Sequence, residues 1–201
     1  ANLVTAAGDV LRFISEGGGN WREESRRLAA ASGTLSEPLT LAQILTVNAN
    51  IQFPATQVAN TGANVLDDYE EGTWTPTLQD DTLSDAESQT YVSQGGDYTK
   101  IGRIVHISGD IRLLSLGTLT TTQAARISGL PFTVDGQHAS IAVGDAAGLA
   151  VSANQVVTGR LTSGDTKIDM YLWDATTGTT VLLISEWSAT GAMRVSGSFR
   201  V

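Results

Sequence analysis

Apolar and polar residues alternate along the C-terminal end of the chain, and this alternation constrains the fold more than any other feature. Successive side chains of a β-strand point to opposite faces, so a period of two gives one buried face and one solvated face. The apolar parity holds Met193, Val195, Phe199 and Val201, and the polar parity holds Arg194, Ser196, Ser198 and Arg200. We therefore predict that the chain ends in a β-strand with one face in a core.

The same alternation recurs from residue 98 onward, in short segments separated by turn residues. The apolar parities are Ile101, Val105, Ile107, Ile111 and Leu113, then Ala139, Ile141 and Val143, then Val157 and Leu161, then Ile168, Met170 and Leu172, then Val181 and Leu183. Turn signals with glycine stand at residues 135–136, 163–165, 177–178 and 190–191. Short strands at this spacing predict a mostly β chain with an antiparallel, jelly-roll-like β-sandwich head over residues 66–201. The polar residues 80–94 are predicted to form a long loop with a short strand near Tyr91.

The N-terminal part, residues 1–65, is predicted to be an extended stalk for attachment and trimerisation. Leu45, Val47, Ile51 and Phe53 share one parity of an alternating segment, and nothing nearby in sequence can cover their face. Three parallel copies around an axis would bury it, which predicts a homotrimer. Residues 17–19 are a glycine loop, and residues 21–31 form either a short helix or a solvated turn.

Composition excludes several classes of function. The chain has no cysteine, so disulfides and thiolate chemistry are excluded, and its net charge of −9 argues against nucleic-acid binding. No apolar run reaches the ~18 residues of a membrane helix, so no membrane insertion is expected. The chain also lacks the sequence motifs of a nucleophile elbow, a phosphate-binding loop and a dinucleotide site. We therefore expect no cofactor and no enzymatic activity.

Metal binding is weakly supported by the sequence. His106 and His138 are the only histidines, and their spacing matches no zinc motif, so surface or interface roles are the default. The acidic residues Asp67, Asp68, Glu70 and Glu71 could hold calcium, but they lack the alternating calcium-loop pattern. A solvated turn, or a partner for Arg or Lys in a neighbouring subunit, is favoured there, and no metal site is predicted.

A glycan-cleaving site needs two carboxylates facing one groove. The candidates are Asp80, Asp81, Asp85, Glu87, Asp165, Asp169 and Asp174. Their spacing alone cannot pair them, and no catalytic residue is assigned.

An aromatic row is the best candidate for a binding site. Asp169, Tyr171 and Trp173 share the parity opposite Ile168, Met170 and Leu172, and Asp174 follows them. Aromatic rings stack on the C–H face of a sugar while carboxylates bond its hydroxyls, so these residues form a candidate glycan or receptor site. Tyr and Trp are also enriched at subunit interfaces, and that alternative stays open.

Three separate segments of the sequence resemble the C-terminal region of tail fibre proteins of tailed bacteriophages. They are residues 66–78, 98–102 and 127–132, in that order, and residues 51–57 are similar to the segment that leads into this region. The resemblance covers most of residues 51–201. It implies a homotrimeric host-recognition fibre of the virion tail and does not name the receptor. The partners we expect are phage tail or baseplate proteins and a host surface polysaccharide or lipopolysaccharide. No catalytic residue is carried over with it. The alternatives are a glycan-depolymerising tailspike and a purely structural connector or decoration protein of the virion.

The axial placement of residues 45–53 can be tested by Ile51→Asp. The change would bring three charges together in an apolar seam, and burying unpaired charge is costly. We expect sedimentation to show loss of the trimer while the β signal of the head survives. A variant that stays trimeric and equally heat-stable would refute the axial placement.

Overall fold

The structure is a computed structural model that describes residues 10–18, 20–27, 50–54, 56, 65–82 and 87–201. It divides into two compact units, Ala1–Ile51 and Gln52–Val201. The predicted domain boundary at residue 66 stays a prediction. Of the proposed axial residues, Leu45 and Val47 lie outside the described residues, as does the candidate carboxylate Asp85.

The first unit contains an antiparallel hairpin of β1 (Val10–Gly17) and β2 (Asn20–Arg27). Gly18 lies in the turn with φ of 62°, a left-handed value that glycine adopts without a steric penalty. The alternative of a helix over residues 21–31 is therefore wrong for residues 21–27. A helix of two or three turns is marginal on its own, whereas pairing with β1 satisfies the backbone hydrogen bonds of β2.

One antiparallel sheet contains the ten strands described in the second unit. They are β3 (Tyr69–Trp74), β4 (Thr77–Gln79), β5 (Thr90–Ile101), β6 (Ile104–Ser115), β7 (Arg126–Ser128), β8 (Ala139–Leu149), β9 (Val156–Leu161), β10 (Lys167–Asp174), β11 (Gly178–Val181) and β12 (Trp187–Arg200). Their order is β3-β5-β6-β12-β8-β9-β10-β7-β4, with β11 on β10, and a 3-10 turn at Ile184–Glu186 precedes β12. No described helix is long and apolar enough to span a membrane.

The sheet curls because its two end strands are neighbours in sequence. β3 and β4 stand at opposite ends of the strand order, yet only Thr75 and Pro76 separate them. Two residues of chain span only a few ångströms, so the two ends of the sheet must approach each other. The prediction of antiparallel β structure is confirmed, in the form of one curled half-barrel rather than two separate sheets.

β8 joins the two halves of the curled sheet. Its first three residues pair with β9, and its later residues pair with β12. The inner face closes on one apolar core, and the alternation predicted it along most strands. Its largest fully buried side chains are Trp187, Leu78, Ile107, Ile111, Leu113, Ile127, Ile141, Leu161, Ile168, Met170, Leu172 and Leu182.

The predicted parity fails at one hairpin. Ile101 is 52% exposed and Lys100 is buried, the reverse of the prediction, although Val105 and Ile107 are buried as expected. A two-residue turn beginning at Gly102, with φ of 56°, separates β5 from β6, so residues 101 and 105 do not belong to one continuous strand.

Two further segments differ from the prediction. Leu182 and Ile184 are buried instead of Val181 and Leu183, because the chain leaves β11 there and bonds to the backbones of Ala125 and Met170. The expected turn at residues 190–191 is an irregularity inside β12, where the register with β8 shifts. The strand expected near Tyr91 is present, since β5 begins at Thr90.

Residues from the three segments that resemble tail fibre proteins meet at one place in the fold. We call these residues the collar cluster: Asp68, Glu70, Tyr98, Lys100 and Phe132. Asp68 and Lys100 form a buried ion pair, and the ammonium lies 5.7 Å from the centroid of the Phe132 ring. The Tyr98 ring meets the Phe132 ring edge-on at 5.2 Å, and its hydroxyl donates to Glu70. That hydrogen bond raises the pKa of Tyr98 to about 12.

The collar cluster corrects the interpretation of the acidic residues. Glu70 and Glu71 lie on β3 rather than in a turn, and Asp68 is neither solvated nor free for a neighbouring subunit. Its partner Lys100 belongs to the same chain, since β3 pairs with β5 and places residues 70 and 100 opposite each other.

Breaking the collar ion pair should destabilise the second unit. Lys100→Met leaves a buried carboxylate without its cation, and such losses cost about 3–5 kcal/mol. We expect a clear fall in the denaturant midpoint followed by tryptophan fluorescence. The double variant Asp68→Leu/Lys100→Met removes both charges and should recover most of the loss. A single variant as stable as the parent would show that the pair contributes little.

Candidate functional site

The outer side of β9, β10 and β11 carries an exposed aromatic surface. On β10 the core-facing residues alternate with Tyr171 and Trp173, which point away from the core, and Trp173 is 50% exposed. Strand pairing sets Trp173 between Val156 and Thr179, and Tyr171 between Thr158 and Val181. We call these residues, namely Val156, Thr158, Tyr171, Trp173, Thr179 and Val181, the aromatic face. Val156 and Val181 are also exposed, so the face is a continuous apolar patch with hydroxyl neighbours.

A row of charges borders the aromatic face. Arg126, Asp169 and Arg160 lie opposite one another on β7, β10 and β9. Asp169 lies 3.2 Å from Arg160 and 3.4 Å from Arg126; the second contact is close enough for an ion pair but not aligned as a hydrogen bond. Arg126 also pairs with Asp81. The four residues, Asp81, Arg126, Asp169 and Arg160, form what we call the charged row.

Arg160 connects the charged row to the aromatic face. Its guanidinium carbon lies 4.6 Å from the centroid of the Tyr171 ring, a cation–π contact, while one of its nitrogens bonds to Asp169. The side chain of Arg160 remains 50% exposed, against 14% for Asp169. The exposed charge beside the aromatic rings is therefore positive, and the carboxylate lies beneath it.

Asp174 organises the turn between β10 and β11. Its Oδ1 accepts hydrogen bonds from the backbone nitrogens of Thr176 at 2.8 Å and Thr177 at 2.6 Å, and its Oδ2 accepts from the Thr177 hydroxyl at 2.7 Å. These bonds to Thr177 and Thr176 lower the pKa of Asp174 to about 2. Its oxygens therefore already have partners within the turn.

The residues predicted for a receptor site thus fall into two groups. The Trp173 ring is exposed to solvent and the Tyr171 ring is half-buried under Arg160, whereas the oxygens of Asp169 and Asp174 are engaged within the chain. Sequence reasoning missed Arg160, which lies on β9. The alternation with the apolar Leu161 indicates that Arg160 faces solvent. Its position beside Tyr171, however, depends on strand register.

A concave surface lies on the other half of the sheet. A groove of about 730 Å³ crosses the strands β3, β5, β6 and β12. Gly95 and Gly144 leave open space along it, and Arg194 bridges Asp110 at 3.1 Å and Asp145 at 2.8 Å. We call it the polar groove because most of its lining residues are polar or glycine, and the one aromatic residue among them, Trp74, is buried.

Two other candidate carboxylates are interior residues. Asp80 accepts hydrogen bonds from the backbones of Thr82 and Thr120, each at 2.8 Å, and Glu87 accepts one from the Thr82 hydroxyl at 3.0 Å. Burial alone would raise the pKa of Asp80, but these bonds outweigh it and lower the pKa; burial raises the pKa of Glu87. Both side chains are buried and bind Thr82 or Thr120 within the chain, so they are hardly accessible to a ligand in solution.

The histidines and acids do not converge on a metal site in the described part of the chain. Nδ1 of the exposed His106 lies 3.1 Å from the Ser198 hydroxyl, its neighbour across the β6–β12 pairing. Among the described residues, no group of three or more histidine, aspartate or glutamate side chains is placed to hold a metal ion.

Comparison with known proteins gives one fold likeness. No family model and no curated protein matches the chain. Its fold is similar to that in the crystal structure of Dettilon tailspike protein, with a TM-score of 0.55 and 17% sequence identity. The similarity covers 66% of this chain and 24% of that chain, so this chain matches about a quarter of the tailspike's length. At this identity the likeness shows a shared fold.

The structural role of Asp174 gives a prediction about pH. A carboxylate whose folded pKa is lowered stabilises the folded state above its ordinary value near 3.8, and the contribution is lost as the pH falls toward about 2. Asp174→Asn should therefore be less heat-stable than the parent at pH 6, with a difference that shrinks as the pH falls through this window. Thermal melts at several pH values measure it. A difference that does not change with pH would show that the charge of Asp174 contributes nothing.

Proposed function

We propose that the chain is a bacteriophage tail protein that attaches to a saccharide of the host cell surface through the aromatic face, as a homotrimeric adhesin. The observation that carries the proposal is the exposed Trp173 ring next to the half-buried Tyr171 on a paired strand of the sheet. The resemblance of residues 66–78, 98–102 and 127–132 to tail fibre proteins supports it, and so does the fold likeness to a tailspike protein. A place in the virion tail, joined to other tail or baseplate proteins, belongs to the same proposal.

The aromatic face has the chemistry that a sugar requires. The Trp173 ring, flanked by Val156, offers a flat apolar surface for the C–H face of a pyranose. Thr158 and Thr179 provide hydroxyls beside it. Strands on both sides hold β10 in place, so little conformational entropy is lost when a ligand binds.

Trimerisation would multiply a weak site. In the described chain Ile51 is 64% exposed and Phe53 is half-buried, with its ring 6.4 Å from that of Tyr69. The exposed apolar side chain of Ile51 fits burial against other copies of the chain. Three linked copies of a modest site gain avidity through effective concentration, so each site can bind weakly on its own.

A glycan-depolymerising tailspike is the second candidate function, and the fold likeness to a tailspike protein favours it. The polar groove is lined by the carboxylates of Asp97 and Asp110, and a glycosidase uses two carboxylates across one groove. Release of reducing ends from host polysaccharide, abolished by Asp110→Asn or Asp97→Asn, would establish this function in place of simple adhesion.

The adhesin proposal predicts the effect of Trp173→Ala. Loss of a stacking ring should weaken adsorption to host cells by about 1–3 kcal/mol, the size expected of a contact hot spot, and leave the trimer intact. Adsorption of the labelled protein to intact cells, with sedimentation in parallel, measures both properties. Leu114→Ala is the matched control, because Leu114 is an equally exposed apolar side chain elsewhere on the sheet.

Other results would replace the proposal. Dissociation of the trimer by Trp173→Ala would make the aromatic face a subunit interface. Unchanged adsorption would remove Trp173 from the binding surface. Failure of the parent protein to bind any host cell would favour a purely structural connector or decoration protein.

A further inference from the structure

Arg160 is the exposed cation beside the proposed binding surface. Its guanidinium is held on two sides, by the Tyr171 ring at 4.6 Å and by Asp169 at 3.2 Å. A guanidinium carries five N–H donors, so one hydrogen bond to Asp169 leaves others directed to solvent. Half of the side chain is exposed, and the contact with Tyr171 places that half at the edge of the aromatic face.

The charges around Arg160 do not cancel it at the surface. Asp169 is shared between Arg160 and Arg126, and its side chain is only 14% exposed. Arg126 in turn has Asp81 as a second partner. The other acid on β10, Asp174, is bound by its own turn. A ligand that lies on Trp173 therefore meets a positive group over the neighbouring Tyr171 ring.

We infer that Arg160 makes the aromatic face selective for a saccharide that carries a carboxylate, such as a uronic or nonulosonic acid. The inference rests on the proposed function, since it assumes that the aromatic face holds a sugar. The sugar ring would stack on Trp173, and its carboxylate would accept hydrogen bonds from the exposed edge of the Arg160 guanidinium. Asp169 and Tyr171 position that guanidinium.

A carboxylate fits better than either alternative. A neutral sugar would leave the exposed donors of Arg160 without a charged partner, whereas the planar guanidinium matches a carboxylate in shape and charge. A phosphate group carries more charge and would lie near Asp169 and Asp174, with Arg160 as the one exposed cation of the charged row. The chain as a whole has a net charge of −9, so an acidic ligand depends on local positive charge.

Paired polysaccharides test the inference. Purified bacterial capsular and O-antigen polysaccharides are prepared in two forms, native and with carboxylates reduced to alcohols. Binding of the full chain is measured by biolayer interferometry beside Arg160→Gln, Arg160→Lys, Trp173→Ala and Arg103→Gln. The last is the matched control, because Arg103 is an exposed arginine that also pairs with an aspartate, Asp135, and lies in neither the aromatic face nor the groove.

We expect the parent to bind carboxylated polysaccharides and to lose at least tenfold in affinity when they are reduced. Arg160→Gln should lose this preference, Arg160→Lys should retain part of it, and Arg103→Gln should behave as the parent. If Arg160→Gln loses affinity equally for both forms of the polysaccharide, the role of Arg160 is purely structural and the inference is overturned.

The two proposals fail in different ways. If the parent binds native and reduced forms equally while Trp173→Ala binds neither, the aromatic face holds a sugar but Arg160 does not select it. If Trp173→Ala binds as tightly as the parent, or the parent binds no polysaccharide, the proposed function fails as well.

Discussion

The short connection between β3 and β4 is the constraint on which the second unit depends. Thr75 and Pro76 join strands that stand at opposite ends of the sheet, so the sheet can form only if it curls until those ends approach. Curling gives every core-facing residue a neighbour on the far side and closes a single apolar core. It also leaves the other face of each strand outside, where the aromatic face and the polar groove lie.

The collar cluster shows the role of the three segments that resemble tail fibre proteins. Asp68, Lys100 and Phe132 come from three separate segments and meet through an ion pair and a cation–π contact. Their contacts hold β3 against β5 and against the residues after β7. These segments are therefore structural, and the aromatic face lies outside them. A resemblance carried by such residues indicates a type of fold and does not identify the receptor.

The aromatic face illustrates how neighbouring strands change the chemistry of a row of side chains. Taken alone, β10 presents two rings and two carboxylates, which suits hydroxyl-rich neutral sugars. β7 and β9 add Arg126 and Arg160, which occupy Asp169 and leave a guanidinium exposed in its place. The sign of the exposed charge beside Trp173 is thus reversed by residues that lie distant in sequence.

Sequence alone determined the features that depend on local periodicity. The alternation along residues 168–172 and 193–199 predicted the buried faces of β10 and β12, and the glycine signals predicted the turns near Gly136, Gly164 and Gly178, because side-chain direction and left-handed φ are properties of single residues. Tertiary structure decided what depends on which strands become neighbours. The burial of Lys100, the single curled sheet and the placement of Arg160 on Tyr171 all follow from strand pairing. Which strands pair depends on how all the strands of the second unit pack around one core.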